Sequence, residues 1–448
     1  MPAALRTAVG PSSPGVADRD AVRRLLQRVG LGPRRGELDA AASAGFDSTV
    51  ATLTGPAGPD AGATATPPPS FPAPSARPGK NDVAARRAQL QQEQAQARQL
   101  VVWWLDRMAA VDAPYPERLT WFWHGHFATS VQKVRYASLM YGQNATQRRL
   151  GAGDFRALAQ AMVVDPAMLV WLDGGGNTVG KPNENLAREF MELFTLGVGD
   201  YTEDDVRQAA RALTGWQVNV VADTSSLNPR RHDNGPETVL GSTFAYDSTS
   251  LVNMLLTRPA SPTFIAGRIW TRFVSDTPPD PATLDALVAA YGPGHDVTAL
   301  IRAAVTSPAF RSPASVLVRQ PVEWLVAALR ALRLPASKLP PAALHGGLTG
   351  LGQVPFDPPD VGGWPAGTPW LTTAAALSRI KLAQVLATKG DITPVTDTAP
   401  SGRVEATAAL LGLPGFTART ATALAPLAGQ PAQLVAAALA SPENCVSA

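Results

Sequence analysis

Proline and glycine divide this chain into short segments with helical periodicity. Three of them share one pattern, an apolar run at helical spacing that meets Asp-Pro or Ser-Pro: LAQAMVVDPAM from Leu158, LIRAAVTSPAF from Leu300 and LVAAALASPEN from Leu434. Because the residue before a proline disfavours the helical conformation, each helix is predicted to end there. The predicted fold class is therefore mainly α, a large multi-helix domain with long irregular loops and one short strand pair within residues 217–250.

A change of composition near the N-terminus predicts the domain organisation. Residues 55–80 are rich in proline, alanine and glycine and have no periodicity, which is typical of a linker. We therefore expect an N-terminal helical cap over residues 1–54, a linker over residues 55–80 and a main helical domain over residues 81–448. Asn81 and Asp82 are suited to cap a long helix that ends near Ala110.

Charge and cysteine content narrow the classes of partner and site. The chain has 39 basic and 36 acidic side chains, spread along its length, so no nucleic acid is expected to bind. A single cysteine, Cys445, excludes an internal disulfide and a multi-cysteine metal site. No uninterrupted apolar run reaches the roughly 18 residues of a membrane span. No apolar run of signal-peptide length stands at the N-terminus, which predicts a cytoplasmic location.

Two histidines, His124 and His126, flank Gly125 in the aromatic stretch WFWHGHF. On an unbroken helix, residues two apart differ by about 200° and cannot share a metal ion. A shared ion therefore requires Gly125 to end the helix that starts at Glu117 and to turn His126 back. Two interpretations stay open: a metal-binding pair enclosed by aromatic rings, or two hydrogen-bonded histidines at a helix end.

The segment PNENLAREFMELFTLGVGDYTEDDVRQAARALTGW, residues 182–216, predicts two helices joined by the turn GVGDY. Asn185, Glu189 and Glu192 have the spacing that gathers side chains on one helix face. Since the neighbouring residues are mostly apolar, Glu189 and Asn185 are expected to be half-buried. The alternative is a solvated salt-bridge ladder of Glu184, Arg188 and Glu192.

A second polar candidate, His232-Asp233, stands in the stretch PRRHDNGP, where turn-forming residues argue against a helix. The pair could hold a metal ion, or the neighbouring Arg230 and Arg231 could form an anion-binding loop. The sequence has no nucleophile elbow and no phosphate-binding glycine loop.

Several segments together resemble a bacterial family known as domain of unknown function 1800. They are RLTWFWHGHFATS, DPAMLVWLD, the segment of residues 182–216, HDNGPETVLG, RQPVEW and GQVPFDPPDVGGWPAG. The resemblance implies a large helical protein, often exported and often encoded beside a sulfatase-like protein, which is therefore an implied partner. Relatives often carry histidine at the position of Phe194, so this chain lacks a histidine ligand there.

These patterns together predict a metal-dependent enzyme, an oxidoreductase of the oxygenase or hydroxylase type acting on a small molecule or peptide. The predicted ligands of an iron, copper or manganese ion are His124, His126, Glu184, Glu189 and His232. The residues assigned to catalysis are Arg188, Glu192 and Asp233, with Arg188 orienting an anionic substrate. Two alternatives remain: a metal-dependent hydrolase using metal-activated water, or a non-catalytic helical partner protein whose polar cluster joins two helices.

Overall fold

A computed structural model describes residues 14–72, 78–79 and 81–447. The remaining parts of the predicted cap, linker and main domain (residues 1–13, 73–77, 80 and 448) lie outside the described residues. The first twelve α-helices are α1 (Pro14–Arg28), α2 (Glu37–Ala44), α3 (Phe46–Leu53), α4 (Ala61–Ala65), α5 (Val83–Ala110), α6 (Tyr115–His126), α7 (Val131–Val134), α8 (Ala137–Leu150), α9 (Phe155–Val163), α10 (Pro166–Trp171), α11 (Glu184–Glu189) and α12 (Glu203–Ala212).

Helices also form most of the second half of the chain. They are α13 (Ser248–Leu256), α14 (Ala260–Phe273), α15 (Pro281–Tyr291), α16 (Val297–Thr306), α17 (Pro308–Arg311), α18 (Pro321–Ala331), α19 (Pro341–Leu351), α20 (Thr373–Lys389), α21 (Thr393–Thr396), α22 (Arg403–Leu410), α23 (Ala418–Leu424), α24 (Pro431–Leu439) and α25 (Pro442–Cys445). Short 3-10 turns cover Gly174–Gly176, Ala336–Lys338, Thr368–Trp370, Pro400–Gly402 and Ala425–Leu427, and a π-helix covers Phe190–Thr195. The mainly α fold class is confirmed.

Strands occur as three antiparallel pairs among the described residues: β1 (Trp216–Asn219) with β2 (Thr224–Leu227), β3 (Glu237–Val239) with β4 (Ser242–Phe244), and β5 (Leu317–Val318) with β6 (Val446–Ser447). Residues 217–250 thus hold two hairpins rather than the one predicted. The second hairpin turns at Leu240 and Gly241, which both have positive φ, as tight two-residue hairpin turns require. The sequence signal was missed because leucine rarely adopts that conformation.

The predicted helix-ending chemistry is confirmed where Asp-Pro and Ser-Pro occur. Asp165, Ser307 and Ser441 all have extended backbone, and each stands immediately before a new helix that begins with proline. The predicted capping of α5 is confirmed as well, since the Asp82 carboxylate accepts from the Ala85 backbone N–H at 2.9 Å. The sequence therefore predicted these four helix boundaries, although it did not predict how the helices pack.

Two large apolar clusters form the interior, and α6 contributes to both of them. Phe122 and Trp123 belong to a cluster with α1, α9, α14 and α16. Trp121 belongs to a second cluster with α5, α18, α20 and α24. The described part of the predicted cap packs into the first cluster through Val22 and Leu25; the domain boundaries themselves stay a prediction. The helix that carries the two histidines thus lies where the clusters meet.

A buried ion-pair network fixes α5 against α6 and α8. Glu117 is 1% exposed. It accepts hydrogen bonds from Arg107 at 2.6 Å and from Trp104 and Arg148 at 2.9 Å. Burial acts to raise the pKa of Glu117, but the two guanidinium groups outweigh it and hold that pKa below its ordinary value. None of the described helices is long and apolar enough to cross a membrane.

Candidate functional site

The helix that carries the histidine pair, α6, continues unbroken through His126. The helix end at Gly125 that a shared metal ion requires does not form, because the backbone N–H of Phe127 still donates to the Trp123 carbonyl at 2.7 Å. Instead, a distant loop approaches Gly125 closely. A Cβ on Gly363, whose φ is +79°, would lie 2.2 Å from the Gly125 carbonyl oxygen. The two histidine side chains therefore leave the helix in different directions.

His124 is surrounded by aromatic rings and is 1% exposed. Its ring centroid is 5.0 to 5.9 Å from those of Trp104, Trp121, Phe356 and Trp364. Its Nε2 accepts a hydrogen bond from the Phe356 backbone N–H at 2.9 Å. Burial lowers the pKa of His124 to about 3, so the imidazole is neutral and keeps the lone pair that this bond needs.

His126 is surrounded by a second set of aromatic rings, on the other side of α6. Its ring neighbours are Phe122, Trp123, Phe127, Phe155, Phe194 and Phe264. Its Nε2 donates to the Phe194 carbonyl at 3.0 Å, and its buried Nδ1 has no partner among the described residues. Burial and then the charge of Arg268 lower the pKa of His126 to about 3, against the opposing effect of the Phe194 carbonyl.

The histidine pair therefore matches the hydrogen-bonded arrangement at a helix end. Among the described residues the two rings share no aromatic neighbour. Each ring forms its hydrogen bond with a different backbone segment. Within residues 14–72, 78–79 and 81–447, no group of three or more histidine, cysteine, aspartate or glutamate side chains is arranged to hold a metal ion. The assignment of metal ligands stays a prediction.

Arg188 is engaged by carboxylates at the surface. Its guanidinium donates to both oxygens of Glu203, at 2.7 and 2.6 Å, and to Glu184 at 3.0 Å. Hydrogen bonding to Glu203 is the largest of the effects that raise the pKa of Arg188 above its ordinary value. A salt-bridge ladder is therefore present with one different member. Glu203 of α12, and not Glu192, is the second carboxylate that pairs with Arg188. This arrangement joins α11 to α12 across the turn GVGDY.

Glu189 and Glu192 lie on the same helical segment, and both are half-buried. Glu192 accepts a hydrogen bond from the Tyr201 hydroxyl. Glu189 has no hydrogen bond to a described residue, and burial, followed by repulsion from Glu192, raises its pKa. The prediction that Glu189 is half-buried is confirmed, whereas Asn185 is exposed. The neighbouring π-helix was not predicted; such turns recur at functional sites.

His232 and Asp233 lie together in the loop before β3, as the absence of a helical pattern predicted. His232 Nδ1 donates to the Thr214 carbonyl at 3.0 Å. Asp233 accepts from Arg211 at 2.8 and 3.3 Å and from the Gly235 backbone N–H at 3.0 Å. The Arg211 guanidinium is the main cause that lowers the pKa of Asp233. Through these hydrogen bonds, the side chains of His232 and Asp233 hold the loop against the end of α12.

A groove of about 660 Å³ lies between α5 and α19. This volume lies within the range of small-molecule sites. Its apolar lining consists of Leu90, Ala97, Val101, Val102, Val131, Ala336, Leu339, Pro341, Leu344, Leu348, Val354, Pro355 and Phe356. Its polar lining consists of Glu93, Gln94, Arg98, Gln132, Arg135, Ser337, His345 and Asp357.

The floor of this groove contains a strained residue that His124 holds in place. Phe356 has a φ of +66°, which is a genuine outlier for a bulky side chain. Its N–H donates to His124, and its carbonyl accepts from the Val131 backbone N–H at 2.9 Å. Its ring centroid lies 5.0 Å from that of Trp104. Strained backbone of this kind clusters at ligand sites.

Sequence reasoning isolated His124 but missed the groove that it supports. Arg98, Arg135 and Phe356 come from three segments without a shared local pattern. One signal was available, since the α5 sequence ends in the apolar run VVWWL at residues 101–105. Another was the irregular loop GQVPFDPPD, because long irregular loops in compact domains are often functional.

Comparison with known proteins bears out the family resemblance. The family model described as "Protein of unknown function (DUF1800)" matches residues 24–446, nearly the whole chain. No curated protein and no solved structure matches the chain. The matched region includes the histidine helix, the acidic segment and the loop that forms the groove floor. The chain therefore belongs to the DUF1800 family of proteins of unknown function.

Proposed function

We propose that this protein binds an amphipathic organic anion, an apolar body that ends in a carboxylate, in the groove between α5 and α19. The observation that carries the proposal is the strained Phe356, which the buried and neutral His124 holds at the groove floor. Folding a bulky residue into this conformation costs free energy of order 1 to 3 kcal/mol. We infer that this conformation is retained because it shapes the floor of a binding surface.

The lining of the groove supports an apolar body for the ligand. Val102, Leu344 and Phe356 belong to the side chains that form its walls and floor. Burying apolar ligand surface against such walls contributes roughly 25 cal/mol per Å². An elongated hydrocarbon or aromatic body would therefore supply most of the binding free energy.

The rim of the groove supports an anionic end. Arg98 and Arg135 line the groove, and neither side chain has a hydrogen bond or ion pair to a described residue. The acidic side chains at the rim are already engaged: Glu93 accepts from Gln89 at 3.0 Å, and Asp357 accepts from Ser130 at 2.9 Å. Guanidinium groups bind carboxylates in paired geometry, so the unpaired donors of Arg98 and Arg135 suit an anionic end of the ligand.

Calorimetric titration with dodecanoate and with dodecanol tests this proposal. We expect saturable binding of dodecanoate at one site, and weaker binding of the alcohol because it lacks the charge. Ala97→Trp fills the groove from α5 and is expected to weaken dodecanoate binding at least about tenfold. The matched control is Ala95→Trp, since Ala95 lies on the same helix, is exposed and does not line the groove.

A second set of variants tests the role of the rim arginines separately from the shape of the groove. The double variant Arg98→Gln, Arg135→Gln is expected to reduce the preference for dodecanoate over dodecanol while dodecanol binding is kept. The proposal fails if neither probe saturates, or if Ala97→Trp and Ala95→Trp bind dodecanoate equally well.

Metal-dependent oxidation and metal-dependent hydrolysis stay predictions from the sequence. Among the described residues, no group of three or more histidine, cysteine, aspartate or glutamate side chains is arranged to hold an ion. The binding proposal is closest to the third alternative, a non-catalytic helical protein, because it requires no bond to be made or broken.

A further inference from the structure

A second cavity, separate from the groove, is lined by an excess of positive charge. It has a volume of about 30 Å³, and its lining includes Arg28, Arg118, Arg272, Arg319 and Glu323. The lining thus includes four arginines and one glutamate, so positive charge is in excess. These residues belong to α1, α6, α14, α18 and the segment between β5 and α18, so distant parts of the chain converge here.

Two of these arginines are buried and have unused hydrogen-bond donors. Arg118 is 2% exposed and Arg319 is 6% exposed. Arg118 Nη1 and Arg319 Nε and Nη2 have no acceptor among the described residues. Their other groups are used: Arg118 Nε donates to the Arg28 carbonyl at 2.7 Å, and Arg319 Nη1 donates to Asn444 at 3.2 Å. Buried donors without acceptors are rare in native proteins and costly.

The partners of the remaining arginines do not neutralise the cavity. Arg28 donates to the carbonyl of Val274 at 2.8 Å and to that of Ser315 at 2.6 Å, and these acceptors are uncharged. Glu323 is 3.1 Å from Arg118 and 3.9 Å from Arg272, so one carboxylate serves two cations. Burial lowers the pKa of Arg272 and of Arg319 to about 10, and both therefore stay charged at neutral pH.

We propose that this cavity binds a small tetrahedral oxyanion, phosphate or sulfate. Its volume would hold on the order of two water molecules, which is enough for one compact anion. Guanidinium groups present planar, paired donors that match the oxygens of such an anion. A bound oxyanion would accept from the unused donors of Arg118 and Arg319 and would offset the excess charge. Ala366 and Gly367 also border the cavity.

Thermal unfolding in phosphate, with chloride added to keep the ionic strength constant, tests the proposal. We expect the unfolding temperature to rise and to saturate below ~10 mM phosphate, because a ligand that binds the native state stabilises it by mass action. Sulfate is expected to act in the same way. Arg319→Gln is expected to weaken phosphate binding at least about tenfold. The control is Arg207→Gln, because Arg207 is exposed and pairs only with Asp204 at 3.0 Å among the described residues.

A second variant covers the case in which Arg319→Gln does not fold. Glu323→Gln removes the carboxylate from the lining. It is expected to lower the unfolding temperature in chloride and to bind phosphate more tightly than the wild type. The proposal is overturned if phosphate has no saturable effect beyond that of chloride. It is also overturned if Glu323→Gln binds phosphate no more tightly than wild type, or if Arg207→Gln weakens binding as much as Arg319→Gln.

Discussion

Acidification should destabilise the protein through His124, because the folded state holds this imidazole neutral. The pKa of His124 is lowered from 6.5 to about 3 by burial. Between these values the unfolded chain binds the proton more tightly than the folded chain. The stabilising contribution is therefore complete above pH 6.5 and is lost progressively as the pH falls toward 3. At about pH 5 the loss is about 2 kcal/mol for this one histidine, from the two pKa values.

Substitution by glutamine isolates this contribution. In His124→Gln the amide oxygen can accept from the Phe356 N–H, but the side chain does not titrate. The difference in unfolding free energy between wild type and variant should therefore shift by about 2 kcal/mol between about pH 7 and about pH 5. Contributions from other groups, including His126, cancel in this difference because they are the same in both proteins.

Urea unfolding followed by tryptophan fluorescence at the two pH values provides the measurement. A companion variant, His124→Phe, should also lose the pH-dependent contribution. It should in addition be less stable at neutral pH by about 1 to 3 kcal/mol, because the Phe356 N–H loses its acceptor. If the wild type and His124→Gln differ by the same free energy at both pH values, His124 is not a buried neutral acceptor and the reasoning is refuted.

Three further predictions concern charged networks and metal content. Glu117→Gln should lower the free energy of unfolding in urea by about 3 to 5 kcal/mol, because it leaves Arg107 and Arg148 without their buried counter-charge; a loss below about 1 kcal/mol would contradict this. Arg188→Gln should leave dodecanoate affinity in calorimetry unchanged, since Arg188 is paired at the surface away from the groove lining; a several-fold change would show that it contributes to binding. If the predicted metal ligands are right, elemental analysis of untagged protein should find stoichiometric iron, copper or manganese. This metal should be lost when both histidines of the HGH motif are replaced by alanine. A wild-type protein without metal would contradict the prediction.

Helix boundaries were largely predictable because local chemistry determines them. Asp82 caps α5 as expected. Thr202 and Asp205 start α12 through reciprocal hydrogen bonds, which is likewise local chemistry. At Gly125 local chemistry left two outcomes open. Glycine commonly ends helices, but here the backbone stays helical and Gly363 packs against it. A contact between residues more than 200 positions apart has no local signature.

The candidate sites were less predictable than the helices because their residues are far apart in the sequence. The sequence drew attention to His124, because a histidine pair among aromatic residues is unusual. Its role was not readable, since Phe356 follows 232 residues later along the chain. The arginines of the small cavity are likewise spread from Arg28 to Arg319, and composition showed only that basic residues are dispersed. Tertiary packing gathers them.

Photo-crosslinking can show directly whether the groove between α5 and α19 binds an amphipathic carboxylate. A dodecanoate analogue with a photoreactive diazirine on its chain would be irradiated with the wild type, with and without excess dodecanoate, and the labelled peptides mapped by mass spectrometry. The account predicts labels that dodecanoate competes away, confined to the groove lining on α5, on α19 and in the loop around Phe356. Competable labels that fall elsewhere, with none on these elements, would contradict it.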